Sequence, residues 1–151
     1  VRRDLSTFEI NQGLTDAWYD PATSGQGFLI TVFPDLGQLF VAWFTYDTER
    51  PPEDVSAMLG EPGHRWLTAQ GSYEGDTANL AISLTQGGVF DAAEPPAITD
   101  PDSYGSMTIK FDDCTKGLVE YDINSLGLSG EIPIERIVLD NIALCEALAA
   151  Q

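Results

Sequence analysis

Apolar residues recur at every second position through a series of short runs. In "FLITVF", Phe28, Ile30 and Val32 share one face, and in "QLFVAWF" so do Leu39, Val41 and Trp43. A period of two is the signature of a strand. The opposite faces of these two runs hold Leu29, Phe33, Phe40 and Phe44. Both faces are therefore apolar, which predicts a central hairpin covered on both sides. Leu80, Ile82 and Leu84 alternate with Asn79, Ala81 and Ser83, and Met107, Ile109 and Phe111 with Thr108, Lys110 and Asp112. Val119, Tyr121 and Ile123 occupy one face of "LVEYDI". The eighth run, "EIPIERIVL", puts Ile132, Ile134 and Arg136 in one phase. Pro133 within it donates no ladder bond, which predicts an edge or a bulge.

Turn residues punctuate the runs: "PATSG" at 21–25, "PDLG" at 34–37, "CTKG" at 114–117 and "SLGLSG" at 125–130. Proline fixes φ there and glycine accepts positive φ. Two polar connections are longer. Residues 48–64 are expected either to act as a functional lid or to hold a short helical turn near Val55 to Leu59, and residues 86–104 to form a second long loop. Helical spacing is confined to the end, where Ile142, Cys145 and Leu148 predict a helix at about 139–150 capped by Asp140. The pattern predicts an all-β fold: a single antiparallel meander of about eight strands closing into a small barrel, with a short C-terminal helix. The alternative is a two-sheet β-sandwich. No linker or internal repeat divides the chain, so residues 1–151 read as one domain.

Charge narrows the partners. Against 24 Asp and Glu stand 7 Lys and Arg, a formal net charge of −17 in 151 residues. Such a chain repels phosphate backbones and anionic membrane surfaces, which excludes nucleic acid and leaves small cations and neutral ligands. No window reaches the roughly 18 apolar residues of a membrane span. The opening "VRRDLSTFEI" has neither an initiating Met nor an apolar signal segment, as expected of a processed or trimmed chain.

Cys114 and Cys145 are the only cysteines, and a single histidine argues against a zinc site. A disulfide is the economical reading, with two buried thiols as the alternative. A disulfide implies an oxidising, periplasmic or extracellular compartment.

The stretch "WYDPATSGQG" holds the first candidate chemistry. Backbone geometry accounts for Pro21, Gly25 and Gly27, but not for Trp18 or Asp20. With Tyr19 and Trp66, these residues suit an aromatic ligand platform at a barrel mouth, whereas Trp43 reads as core. Arg136, phased inward, needs a carboxylate partner, either as a structural ion pair or lining a polar ligand cavity. Glu61 and His64 are a candidate general-base pair. Ser24 offers no nucleophile elbow, since Gly-x-Ser-x-Gly is absent. Asp91, Glu94, Asp100 and Asp102 are candidate calcium ligands, although no EF-hand loop is present. Solvated acids, with no cofactor, are the simpler reading.

The stretch from Gly13 to Asp47 resembles a family of bacterial exported β-domains with the pattern W-[YFW]-[ND]-P-x-x-S-G-x-G. Trp18, Tyr19, Asp20, Pro21, Ser24, Gly25 and Gly27 carry the motif. Trp43 to Asp47 and Trp66 to Gly71 follow as its later strands, and the likeness spans about residues 13 to 138. It implies a β fold and export, and no reaction. "WY" opening an eight-run barrel is also similar in architecture to avidins and lipocalins. Together these features predict an exported domain that binds rather than catalyses. A carbohydrate or small neutral molecule would be held by aromatics at the mouth. The alternatives are a cell-surface accessory or interaction module, and a hydrolase using Glu61 and His64 or a carboxylate pair.

Overall fold

The computed structural model describes residues 8–151, apart from the side chains of 101–103. Eight strands form one closed antiparallel barrel. They are β1 (Asp16–Tyr19), β2 (Gly27–Phe33), β3 (Gln38–Tyr46), β4 (His64–Glu74), β5 (Thr77–Gln86), β6 (Ile98–Phe111), β7 (Lys116–Ile123) and β8 (Leu128–Arg136). Each pairs with the next, and β8 returns to β1. The alternative of two facing sheets is thereby excluded.

Register follows the period-two pattern. Phe28 lies opposite Trp43 and Trp43 opposite Leu67, while Ile30, Val41 and Ala69 line up one step deeper. All six are buried and point inward. Glycine closes the β2–β3 connection: Gly37 takes φ 63° after the 3₁₀ turn Pro34–Leu36 and returns its N–H to the Pro34 carbonyl. That left-handed conformation is the one a β-carbon penalises.

The barrel end nearest that turn is plugged. A 3₁₀ turn at Gln12–Leu14 and α1 (Ile142–Ala149) pack there. The Cys114–Cys145 disulfide ties α1 to the β6–β7 turn. Beside Cys114, burial pushes the Asp113 carboxyl upward. The Thr115 hydroxyl, the N–H groups of Thr115 and Lys116, and the Lys116 charge outweigh that push and hold it below the ordinary carboxylate range.

The seam between β1 and β8 is short, pairing only Trp18 with Arg136 and Tyr19 with Glu135. Pro133 sits beyond it, on a stretch of β8 with no β1 partner, where a missing donor is tolerated. The expected edge at Pro133 is thus a local one, on the β1 side of β8, within a barrel that closes at the Trp18–Arg136 and Tyr19–Glu135 pairs.

Several sequence expectations are corrected. Residues 98–104 belong to β6, whose pairing with β5 shifts register between the Ile82–Gly105 and Leu84–Asp100 pairs. The 47–63 connection holds a turn, Val55 N–H to Pro52 O, and no helix at Val55 to Leu59. The helix starts at Ile142, and Asp140 accepts from Asn141 N–H rather than capping it. The outer face of the β2–β3 hairpin is uncovered: Leu29, Phe33 and Phe44 are each more than two-fifths exposed. The barrel has one layer, and no described element packs over this side.

Candidate functional site: a cup at the open end of the barrel

The connections at 47–63, 87–97 and 124–127 and the 20–26 corner all lie at the end opposite the plug. Core side chains fill the barrel up to the level of Trp43 and Leu67. Above them lies a cup of about 590 Å³, walled by Gln26, Trp43, Leu84, Tyr104, Tyr121 and Leu128. Small-molecule pockets commonly run from about 300 to 1,000 Å³.

Its floor is fixed by ring packing and one amide. Trp43 stacks on Phe28 at 5.5 Å and meets Tyr121 at 5.4 Å. Gln26 Oε1 accepts from Trp43 Nε1 at 3.0 Å and from Thr45 Oγ1 at 2.8 Å. The Tyr121 ring occupies space left by Gly130, where an added β-carbon would stand 2.7 Å from the Tyr121 hydroxyl. Among the described residues, the hydroxyls of Tyr104 and Tyr121 make no hydrogen bond to protein.

Arg65 is the cation on the rim, and Asp47 pairs with it at 3.0 Å. With both side chains about half exposed, water screens the pair, so it is worth at most about 1 kcal/mol. Its consequence is electrostatic, because the rim guanidinium is already neutralised.

The residues expected from sequence scatter. Trp18 is wholly buried at the plugged end, not at the mouth. Its indole N–H donates to the Leu14 carbonyl at 3.0 Å, its edge meets Phe111, and Arg136 lies over its ring at 4.6 Å. Arg136 is buried with it, far from the cup. Its donors reach Cys114 O at 2.7 Å, Asp16 Oδ2 at 2.9 Å and Gly13 O at 3.0 Å. Of the two readings of Arg136, the structure has the ion pair and not the ligand-lining one. Asp20 accepts from Ala22 N–H at 3.0 Å and so caps the corner. Tyr19 and Trp66 alternate onto the outer face, half-buried and exposed respectively.

Glu61 and His64 share only a backbone contact, His64 N–H to Glu61 O at 3.5 Å. No side-chain hydrogen bond or ion pair joins them, so the proposed base pair is not assembled. Among the described residues, no group of three acids, histidines or cysteines converges on a metal site. Asp91, Glu94 and Asp100 therefore form no calcium cage, and the Asp102 side chain lies outside the described residues.

Sequence reasoning missed Gln26, Tyr104 and Tyr121; its reading of Trp43 as core holds, since the ring is buried and forms the floor of the cup. The available signal for Gln26 was its place between two glycines, a lone amide leading straight into an inward-phased strand. No family model, curated protein or solved structure matches the chain.

Proposed function

We propose that the protein is an exported ligand-binding β-domain that takes a small neutral molecule into the cup. The cup itself carries this reading: an aromatic and aliphatic hollow, open at one end, with two phenol hydroxyls that have no hydrogen-bond partner among the described residues and a neutralised rim charge. Few polar groups on an apolar wall are the usual recipe for an oriented small ligand. The net charge of −17 works against anions. Export is supported by the disulfide. Among the described residues no helix is long and apolar enough to cross a membrane.

Trp43 makes the reading testable. A library of neutral aromatic and alicyclic fragments is screened by tryptophan fluorescence and by chemical-shift changes of Tyr104 and Tyr121. Binding is expected at those residues and lost in Leu84→Trp, which fills the cup. A screen in which no fragment shifts Trp43, Tyr104 or Tyr121 refutes the proposal.

A further inference from the structure

The same strands that wall the cup carry a second set of aromatics on their outer face. Phe44 and Trp66 stand directly opposite each other across β3 and β4, and Tyr46 stands opposite His64 two pairs nearer the open end. Directly opposed side chains on one face of a sheet lie within contact reach. Phe44 is 46%, Trp66 48% and Tyr46 52% exposed. The Tyr46 and His64 rings meet edge to face at 5.6 Å. Between these side chains and Gly25 lies a recess of about 250 Å³. The Tyr46 hydroxyl and the His64 ring nitrogens make no hydrogen bond among the described residues.

We propose that this recess binds one ring of an uncharged carbohydrate. The recess adjoins the cup and shares Tyr46, His64, Arg65 and Trp66 with its rim, whereas Phe44 and Gly25 line the recess alone. A pyranose has a C–H face that packs on an aromatic ring and hydroxyls around its edge. The recess offers matching parts, with three ring surfaces and a phenol and an imidazole at the margin. Strands hold the rings in register, so little ordering is needed on binding. Charge and size select this occupant over others. Two copies carrying −17 each repel, as does an acidic partner or an anionic membrane. A stable protein interface needs about 800 Å² from each partner, more than a recess for a single ring provides.

Trp66 reports on the site by itself, since Trp18 and Trp43 are buried. Acrylamide quenching of the intact, oxidised protein is followed while cellotriose, mannotriose or triacetylchitotriose is added. At least one sugar is expected to protect Trp66. Calorimetry should then show about tenfold or greater weakening in both Trp66→Ala and Phe44→Ala, as expected for loss of a stacked ring. Raising salt from about 0.05 to 0.5 M should change the affinity less than about twofold, because the ligand is uncharged. Phe44→Ala should keep the melting temperature and the fragment binding of the cup, since Phe44 lines the recess and not the cup, so the two readings fail separately. The proposal is overturned by any of three results. None of the three sugars protects Trp66, or both variants bind as tightly as the parent. In the third, sedimentation reveals a dimer that Trp66→Ala dissolves, which assigns the face to self-association.

Discussion

Replacing Arg136 with methionine removes the one buried charged side chain among the described residues while keeping most of its volume and its apolar stem. In the parent the guanidinium is fully buried and its three bonds hold together the 3₁₀ plug, the β6–β7 turn and β1. Methionine leaves the carbonyls of Gly13 and Cys114 without that donor and Asp16 without its cation. Each buried orphan costs about 1–3 kcal/mol. Asp16, with its side chain 16% exposed, recovers some hydration and keeps the Ala17 N–H, so its share is the smallest. The sum is about 3–5 kcal/mol, the range for breaking a buried pair from one side. That is roughly a fifth or more of the 5–15 kcal/mol stability of an ordinary domain. Urea unfolding of the oxidised protein at neutral pH measures it through the shift in midpoint at constant slope. Asp16→Asn and the double variant complete a cycle, and the double variant should lose at least about 1 kcal/mol less than the sum of the singles. A loss below about 1 kcal/mol for Arg136→Met, or strict additivity in the cycle, refutes the claim that this ion pair locks the plug.

Two further outcomes test the plug from other sides. Converting Cys114 and Cys145 together to serine opens a loop of sequence separation 31 and should cost about 3–4 kcal/mol in urea unfolding, with no loss of fragment binding at the cup. Asp113 has a folded carboxyl pKa below the ordinary aspartate range, so its stabilising contribution is present above about pH 4 and is lost as pH falls through the lower folded value. The stability gap between the parent and Asp113→Asn should accordingly be constant near neutrality and close on acidification. A gap that widens toward acid pH contradicts the assigned direction.

The strand faces were readable because neighbouring residues alone set them. Once Phe28, Ile30 and Val32 share a phase, a one-residue slip would expose all three, so the pattern specifies the register. The Cys114–Cys145 pairing was also readable, since two cysteines allow one intramolecular bridge. Pro101 and the acids around it hid the first half of β6, because a shift of register, set by the partner strand, is invisible along a single chain. Trp18 misled for a similar reason. Its polar neighbours suggested a rim, yet an inward phase and the Leu14 carbonyl place it at the plug. The cup was legible only as aromatic composition. Tyr104, Tyr121 and Gln26 are far apart in sequence, and nothing local shows that they meet.

The chain's alternation and its glycine and proline punctuation determined that eight antiparallel runs exist and which side of each seeks an interior. Those are properties of dihedral preference and side-chain period, fixed within a few residues. Closure decided the rest. Bringing β8 back to β1 made one layer with an inside and an outside, filled the plugged end, left the other end hollow, and stranded Phe44 and Trp66 in solvent. Which residues surround a given volume depends on how distant strands pack around it, and that is a tertiary quantity.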